Sequence, residues 1–271
     1  MPELPEVETT LRGIRPHVLG KSVRAVTVRE PRLRWRVPAR LAHELGGQTV
    51  HRLERRGKYL LFTTDAGCVI LHLGMSGSLR VTRAGEPPGK FDHVDIVFDD
   101  GDCLRLRDPR RFGAVLWTHD AATHPLLRHL GPEPLGPDFS GDYLFARTRK
   151  RKRAIRDFLL DGRQVAGIGN IYANEALFAA HIRPARAAGR LRRAECDRLV
   201  TTIRTTLKRA IRAGGTTLRD FRGASDRPGY FQQRLKVYGR EAQPCPVCHT
   251  SVRAVRLGQR AAFYCPMCQK A

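Results

Sequence analysis

The sequence predicts an α+β protein in which a strand-rich N-terminal half precedes a helical segment and a small cysteine-rich module. Short apolar stretches separated by turn residues fill much of the chain between Val23 and Trp117. Helical spacing of apolar residues replaces them from Asp142 to Ala210. Two Cys-x-x-Cys pairs follow near the C-terminus. A chain of 271 residues is long enough for two domains of ordinary size and such a module.

The N-terminus combines a reactive amine with an acid at the start of the first helix. Once Met1 is removed, Pro2 presents a secondary amine with a pKa of about 8, so a usable fraction is nucleophilic at neutral pH. Its adduct with a sugar carbon is an iminium that keeps its positive charge and favours elimination. The alternative is an exposed tail, in which Pro2 and Glu3 merely suit a first helical turn. A buried stripe close to the amine favours a fixed terminus, and its residues are Val7, Leu11, Ile14 and Val18.

The strand-rich half is read from short β-branched and aromatic stretches bounded by turn residues. We expect strands over Val23–Val28, Tyr59–Thr63, Val69–His72, Val94–Phe98 and Cys103–Arg107, with a hairpin turn at Asp99-Asp100-Gly101. Lys58 precedes one of these strands and is one of only eight lysines in a chain that otherwise uses arginine. A pKa-tunable ammonium is one reason for a lysine there. A phosphate contact and plain surface charge are the alternatives.

The charge balance indicates a polyanionic partner. Lys and Arg number 49 against 26 Asp and Glu, which gives a formal net charge of +23. Nucleic acid is the leading candidate and an anionic membrane surface is the competing one. No stretch reaches the length of a membrane span, and the acidic N-terminus is unlike a secretory signal. We therefore expect a soluble, intracellular protein that binds nucleic acid.

Two turn-rich segments, Gly74–Gly77 and Asp108–Gly113, each place a large side chain at a strand end. Met75 and Phe112 are ordinary core residues on one interpretation. If these loops face DNA, a thioether, an aromatic ring and Arg110 are suited to fill the hole left when a nucleotide leaves the stack. The chemistry of the rest of the chain decides between the two.

The helical segment follows a proline- and glycine-rich stretch, residues 131–141, that we predict to be a linker. Two helical stretches, Ile155–Leu160 and Ile171–Ala180, are separated by Gly167-Ile168-Gly169-Asn170. Glycines before a helix start can expose backbone N–H groups to a phosphate, although a plain interhelical turn has the same sequence. The basic run Lys150–Arg153 favours the phosphate site.

The C-terminal cysteines have the spacing of a zinc ribbon. Cys245 and Cys248 form one pair and Cys265 and Cys268 the other, with sixteen residues between the pairs. Four thiolates saturate a tetrahedral zinc ion and leave no position for water, so the ion is expected to be structural. A pair of redox motifs is the weaker alternative, because neither pair lies in a βαβ context.

Together these motifs resemble the formamidopyrimidine-DNA glycosylases along the whole chain. In chain order they are Pro2-Glu3-Leu4-Pro5-Glu6, Lys58, Asp108-Pro109-Arg110-Arg111-Phe112, Gly169-Asn170-Ile171-Tyr172 and the four-cysteine ribbon. The resemblance implies an N-terminal β-sandwich with flanking helices, a helix-two-turn-helix domain and a zinc-finger β-hairpin. With the boundaries read from the sequence, these occupy residues 1–130, 142–235 and 236–271.

The implied activity is that of a bifunctional base-excision repair enzyme, which removes 8-oxoguanine and ring-opened purines from duplex DNA and then cuts the backbone as an AP lyase. By resemblance, Pro2 is the Schiff-base nucleophile that attacks C1′, and Glu3 is the acid that assists sugar opening and proton transfer. Lys58 resembles the proton donor for β-elimination. Arg260 resembles the donor tied to δ-elimination, although the high pKa of arginine favours an electrostatic clamp on the flanking phosphates.

The resemblance also implies contacts to damaged DNA. The matching residues are Met75, Arg110 and Phe112 as side chains inserted into the duplex, Arg151 and Asn170 as backbone contacts, Glu6 at the floor of the damaged-base pocket, and the loop up to Tyr230 as its lid. Many members have a DNA-contacting histidine directly before the aspartate that is Asp92 here. This chain has Phe91 at that position, and His93 is the candidate substitute.

Two other functions stay open from the sequence. One is an endonuclease VIII-like relative with the same nucleophile and a preference for oxidised pyrimidines, and the other is a non-catalytic zinc-ribbon protein that binds DNA. The set of Met75, Arg110 and Phe112, with the Leu4-Pro5 pair, favours the purine-directed enzyme. We expect a cytoplasmic, nucleoid-associated monomer with one structural zinc ion.

Overall fold

The computed structural model describes residues 2–214 and 235–270, which fall into two compact units. The first unit reaches from the N-terminus to His129, and Ala213 and Gly214 are grouped with it. The second contains Leu130–Arg212 and the C-terminal residues from 235 onward, so the cysteine module shares a unit with the helices. Among the helices of these two ranges, none has both the length and the apolar composition needed to cross a membrane.

The described residues of the first unit form two helices and two four-stranded antiparallel sheets. Its helices are α1 Leu4–Val18 and α2 Leu41–Leu45. Its strands are β1 Val23–Val28, β2 Arg52–Arg56, β3 Tyr59–Thr63, β4 Cys68–His72, β5 Ser78–Arg83, β6 Asp92–Phe98, β7 Asp102–Arg107 and β8 Ala114–Thr118. One sheet has the order β1-β6-β7-β5 and the other β2-β3-β4-β8.

A single hydrophobic core joins the two sheets and α1. Phe62 and Val115 enter it from one sheet, Ile96 and Leu104 from the other, and Ile14 from the helix. Each fully buried aliphatic or aromatic side chain of this kind contributes about 1.5–3 kcal/mol of transfer free energy. Two sheets that pack their inner faces together form a β-sandwich. The sandwich implied by the resemblance is therefore confirmed.

All five predicted strands are confirmed, and three of them are longer at their N-terminal end by one or two residues. Strands β2, β5 and β8 were not predicted, and all three lie at a sheet edge. In β2, which reads Arg-Leu-Glu-Arg-Arg, only Leu53 is buried. Four of the five residues of β2 are charged, so its sequence does not indicate a strand.

Helix α1 fixes the N-terminus against the first unit, as the apolar stripe predicts. Its buried residues include Leu4, Val7, Leu11, Ile14 and Val18. Pro5 lies in the first turn, where its missing N–H costs nothing because no helical acceptor exists there.

Within the described residues, the second unit contains four α-helices, a short 3-10 helix over Ala188–Arg190 and a β-hairpin. Their bounds are α3 Gly141–Thr148, α4 Ile155–Leu159, α5 Asn170–Ala179, α6 Arg193–Arg212, β9 Arg253–Leu257 and β10 Arg260–Tyr264. Helix α5 is buried on every side from Ile171 to Phe178, which makes it the central element of the unit. Helix α6 packs on α3 and α5 with one apolar face. The predicted helical stretches are confirmed.

The predicted linker, residues 131–141, lies along the second unit. The N–H of Gly131 donates to the carbonyl of Gly162 at 2.8 Å, and the N–H of Ala166 donates to the carbonyl of Pro132 at 3.0 Å. From α6, the guanidinium of Arg204 donates to three carbonyls of the segment, those of Pro134, Gly136 and Phe139. These bonds order a proline- and glycine-rich segment that the sequence describes only as a connection.

Candidate active site and nucleic-acid interface

The start of α1 holds two acids in a reciprocal capping box. The side chain of Glu3 accepts from the N–H of Glu6, and the side chain of Glu6 accepts from the N–H of Glu3 at 2.9 Å. Pro2 is buried, and Glu3 and Glu6 are only 3% and 1% exposed. A helix N-terminus stabilises carboxylates through its unpaired N–H groups and its dipole. The arrangement gives Glu3 a fixed orientation one residue from Pro2.

Lys58 lies in the two-residue turn between β2 and β3, whose Arg56 and Tyr59 are paired. Gly57 opens this turn with φ of 58°, a conformation that favours glycine. The guanidinium of Arg55 donates to the carbonyl of Gly57 at 3.0 Å and to the carboxylate of Glu8 at 3.0 Å. The half-buried Glu8–Arg55 ion pair therefore joins the turn that carries Lys58 to the helix that carries Glu3.

His72 is a residue of this region that sequence reasoning missed. It pairs with Tyr59 across β3 and β4, and the two ring centroids are 4.9 Å apart. Its Nδ1 accepts from the N–H of Gly74 at 3.0 Å, so the ring proton of the neutral form is on Nε2. Burial, together with the positive charges of Lys58 and Arg34, lowers the pKa of His72 to about 4. His72 is thus a neutral N–H donor near Lys58 at physiological pH.

Met75 and Phe112 lie on the surface of the first unit and are not core residues. They are 38% and 41% exposed, whereas most large apolar side chains of the described chain are buried. The guanidinium of Arg110 lies 4.8 Å from the centre of the Phe112 ring. A Cβ atom on Gly74 would collide with the backbone of Phe112, so the two loops touch backbone to backbone. The three side chains predicted to enter a duplex therefore belong to two adjoining loops.

The buried carboxylate of Asp108 holds these two loops together. One of its oxygens accepts from the Ser76 hydroxyl at 2.8 Å, and the other accepts from the N–H of Gly113 at 2.7 Å. Ser76 also accepts from the N–H of Arg110 at 3.3 Å. His93 is 6% exposed, and its Nε2 donates to the carbonyl of Asp108 at 2.8 Å. This geometry gives His93 a place beneath the loop and makes it a support for the exposed side chains.

In the second unit, the side chain of Arg156 in α4 forms hydrogen bonds with the turn of the β9–β10 hairpin. Its guanidinium donates to the carbonyl of Leu257 at 2.8 Å, to the carbonyl of Arg260 at 3.0 Å and to the side-chain oxygen of Asn170 at 3.2 Å. The Arg156 side chain is 1% exposed. It fixes the backbone of the turn while the side chain of Arg260 remains exposed.

Two asparagines of α5 form further hydrogen bonds with the hairpin. The side-chain amide of Asn170 donates to the carbonyl of Ala261 at 2.9 Å. The side-chain oxygen of Asn174 accepts from the N–H of Phe263 at 2.8 Å. Asn170 is the first residue of α5, and the preceding turn contains Gly167 with φ of 81°. Asn170, predicted as a backbone contact, thus lies beside the hairpin that carries Arg260.

Two further features of the second unit are relevant to binding. Arg151, Lys152 and Arg153 are all exposed, as expected for a surface that attracts phosphates. The buried carboxylate of Glu175 accepts from three consecutive backbone N–H groups, at residues 236–238, and so joins α5 to the segment that leads into the cysteine module. Burial raises the pKa of Glu175, and these N–H groups oppose that rise.

The four cysteines form a compact tetrad whose sulfur atoms all lie within 4.8 Å of one another. The Sγ atoms are 3.9 Å apart for Cys245 and Cys268 and 3.4 Å apart for Cys248 and Cys265. Tetrahedral zinc with Zn–S bonds of about 2.3 Å requires sulfurs about 3.8 Å apart, so the tetrad fits such an ion. All four positions are thiols, which leaves no open position for a substrate.

The chain matches three family models in order along its length. They are the formamidopyrimidine-DNA glycosylase N-terminal domain over residues 1–115, the formamidopyrimidine-DNA glycosylase H2TH domain over 130–222, and the zinc finger found in FPG and IleRS over 242–271. The chain belongs to the formamidopyrimidine-DNA glycosylase family. The sandwich, the helix-two-turn-helix unit and the four-cysteine hairpin are the architecture of this glycosylase family, and the tetrad binds one structural zinc ion.

Individual glycosylases of the family resemble the chain over its full length. The formamidopyrimidine-DNA glycosylase of Thioalkalivibrio sulfidiphilus (strain HL-EbGR7) is 59% identical over 271 residues, covering 100% of both chains. The Lactococcus lactis Fpg in complex with DNA containing an abasic site has a TM-score of 0.90 and 32% identity, with 100% of each chain covered. A MutM in complex with carbocyclic 8-oxo-G containing DNA has a TM-score of 0.90, 33% identity and the same coverage.

The residues predicted for the glycosylase site are divided between the two units. The first unit contains Pro2, Glu3, Glu6, Lys58, Met75, His93, Arg110 and Phe112. The second contains Arg151, Asn170, Arg260 and the four cysteines. Tyr230 lies outside the described residues. Sequence reasoning missed the residues that position the others, because a buried ionic or polar side chain has no local pattern.

Proposed function

We propose that Pro2 is the nucleophile with which this chain excises 8-oxoguanine and formamidopyrimidines from duplex DNA and then cuts the strand. The chain is a base-excision repair DNA glycosylase and AP lyase by its family. The observation that supports the residue assignment is the buried Pro2 beside the capped Glu3. An amine that attacks a single carbon gains from a fixed position and a nearby acid, and the capping box provides both.

In the first step, the Pro2 nitrogen forms a bond to C1′ as the N-glycosidic bond breaks and its electron pair leaves with the base. The nitrogen then loses its proton. Glu3 donates a proton to O4′ as the C1′–O4′ bond opens, and the nitrogen lone pair forms the cationic C1′=N bond. Because Pro2 is a secondary amine, this iminium has no N–H to lose and stays positively charged.

The elimination steps follow from that charge. The iminium withdraws electrons from C2′, so loss of a C2′ proton expels the 3′ phosphate by β-elimination, and a second loss of a proton expels the 5′ phosphate by δ-elimination. We assign Lys58 as the proton donor in the first of these steps. We assign Arg260 as a permanently charged guanidinium that binds the phosphates, because a guanidinium is too weak an acid to donate a proton efficiently.

The exposed loops of the first unit suit the extrusion of a nucleotide. Removing a damaged nucleotide from the stack costs a few kcal/mol, and phosphate contacts with inserted side chains offset that cost. Met75, Arg110 and Phe112 are held for this by Asp108. The relative with carbocyclic 8-oxo-G in its DNA supports the purine-directed assignment. Comparing cleavage of 8-oxoguanine with cleavage of thymine glycol separates this function from the pyrimidine-directed alternative.

We also assign the domain limits and the location. Residues 1–130 form the catalytic domain, 142–235 the DNA-binding helical domain and 236–271 the zinc finger, and the family matches at 1–115, 130–222 and 242–271 support this division. The protein acts on DNA in the cytoplasm, at the nucleoid, as a monomer. Its net charge of +23 supports association with DNA.

Borohydride trapping tests the nucleophile. With the mature protein and duplex DNA containing 8-oxoguanine, we expect a covalent protein–DNA adduct that is lost when the N-terminus is acetylated. Pro2→Gly is expected to reduce excision far more than binding, whereas Asn170→Ala is expected to weaken binding. An undiminished adduct after acetylation contradicts the assignment. Full activity of a preparation in which mass spectrometry finds Met1 still attached contradicts it as well. Affinity without any adduct would instead support the non-catalytic alternative.

A further inference from the structure

The second unit contains a cavity of about 470 Å³ that is lined by none of the residues proposed for catalysis. It lies between the segment that follows α5 and one face of the β9–β10 hairpin. The segment contributes Arg183, Arg186 and Arg190 with two alanines between them, and the hairpin contributes Val255 and Tyr264. Its volume is within the range of about 300–1,000 Å³ that is typical of small-ligand sites.

The hairpin and the neighbouring α6 hold two of the three arginines in place. The guanidinium of Arg183 lies 5.0 Å from the centre of the Tyr264 ring and donates to the Tyr264 hydroxyl at 3.2 Å. Arg186 donates to both carboxylate oxygens of Glu195, at 2.6 and 2.9 Å, and to the carbonyl of Arg190 at 2.8 Å. Both guanidinium groups are therefore oriented before any ligand binds.

The charge of the cavity is not balanced by its surroundings. Glu195 neutralises Arg186 but makes no ion pair with Arg183 or Arg190 within the described residues. Arg190 is exposed, and in the described ranges its guanidinium has no ion-pair or hydrogen-bond partner. No acid is among the lining residues described. Two unneutralised guanidinium groups on a concave surface attract an anion.

We infer that this cavity binds a phosphate group of a nucleotide-sized ligand, a function beyond the excision proposed above. The guanidinium fork matches phosphate oxygens in two-point hydrogen bonds, and Arg183 and Arg190 offer that geometry. A phosphate group offers up to three oxygens to the two guanidinium groups, whereas a carboxylate offers two. The remaining wall, formed by Val255 and the two alanines, leaves room for the rest of the ligand.

The surroundings of the cavity supply two sources for such a phosphate. The N–H of Ile155 donates to the carbonyl of Arg186, and the N–H of Ala188 donates to the carbonyl of Arg153. The lining segment therefore runs beside the exposed basic residues 151–153, and a DNA backbone on that surface can continue into the cavity. A free phosphate-bearing small molecule has the same chemistry, so the experiment needs an arm for each source.

The test uses the zinc-loaded full chain and the double substitution Arg183→Gln with Arg190→Gln, which keeps the Arg186–Glu195 pair. Calorimetry with inorganic pyrophosphate measures the small-ligand arm, where we expect at least a tenfold loss of affinity. Salt-dependent binding of a lesion duplex, short or extended by one helical turn, measures the DNA arm. There we expect the slope of log K against log salt to fall by about 1–2 on the extended duplex alone.

A matched control removes two charges from α6, with Lys208→Gln and Arg209→Gln, both of which are exposed. A change in the pyrophosphate arm identifies a free ligand, and a change in the slope identifies the DNA backbone. Trapping of the Pro2 adduct at low salt is expected to be the same in all proteins, which separates this test from that of the excision mechanism. If the glutamine pair is poorly folded, the Arg183→Lys and Arg190→Lys pair replaces it in the pyrophosphate arm, where loss of the two-point hydrogen bonds is expected to lower the affinity; the salt slope, which depends on charge, is expected to stay unchanged in that pair. Wild-type behaviour in both arms, or equal losses in the control, overturns the inference.

Discussion

Single residues of this protein are buried or exposed against the expectation set by their type. The carboxylates of Glu6 and Asp108 are buried, whereas Met75 and Phe112 are exposed. Hydrogen bonds explain the first pair, since each acid accepts from backbone N–H or hydroxyl donors whose loss would cost about 1–3 kcal/mol. Asp108 thereby holds in place the two loops that expose Met75 and Phe112, and Glu6 holds the start of α1.

Substitution of the exposed pair is expected to separate stability from activity. Met75→Ala and Phe112→Ala are predicted to change the free energy of unfolding by less than about 0.5 kcal/mol, because surface substitutions remove little packing. Excision from duplex DNA is expected to fall at least tenfold, because nothing then fills the vacated stack. Urea unfolding and single-turnover excision measure the two effects. Val247→Ala, another exposed apolar position, is the control, and equal loss of activity there would contradict the prediction.

His72 predicts a defined dependence of stability on pH. Its folded pKa of about 4 lies below the ordinary 6.5, so the unfolded chain binds the proton more tightly. This contribution to stability is complete above pH 6.5 and is lost as pH falls from 6.5 towards 4, by about 3 kcal/mol in total. Urea unfolding at pH 7.5, 5.5 and 4.5 measures it. His72→Gln is expected to flatten that dependence, and an unchanged slope in the variant would refute the assignment.

Secondary-structure elements were predictable to the extent that their neighbours along the chain define them. The stripe on α1 and the spacing of the four cysteines are local patterns, and both are confirmed. Arg156 is different because its hydrogen-bond partner Leu257 is 101 residues away, and Asp108 likewise acts on Ser76 at a distance of 32 residues. The sequence around such a residue does not distinguish it from any other charged residue. Strand β2 was missed because four of its five residues are charged, whereas β1, which also lies at a sheet edge, was predicted from its apolar residues.

The hydrogen bonds between Arg156 of α4 and the β9–β10 hairpin give a prediction at the level of secondary-structure elements. Arg156→Gln removes donors to the carbonyls of Leu257 and Arg260, so the hairpin turn is expected to open more often. Amide hydrogen exchange near the turn should accelerate about tenfold or more, while exchange in β3 and β4 stays unchanged. DNA affinity should fall with it. Arg153→Gln, which breaks an exposed pair with Asp161, is the control for hydrogen exchange alone, and slow exchange in the Arg156 variant would contradict the role assigned to it.

For the molecule as a whole, the β-sandwich and the cysteine module depend on different sources of stability. The first unit has a core that draws on both sheets and α1. The apolar cluster of the cysteine module is small, with Phe178, Val237 and Val252 beside the buried cysteines. A module of that size rarely folds on apolar burial alone, and zinc coordination supplies the missing free energy. The metal therefore stabilises the hairpin that carries Arg260, and the sandwich does not need it.

Removal of zinc tests this division directly, because both tryptophans, Trp35 and Trp117, lie in the first unit. A strong chelator is expected to abolish DNA binding, since the hairpin loses its order and Arg260 its position. Tryptophan emission and its urea midpoint should stay unchanged, because the sandwich core holds Trp117 independently of the metal. Added zinc should restore binding with a stoichiometry of one ion per chain. A shift of tryptophan emission on chelation would show that the sandwich also depends on the metal, against the division argued here.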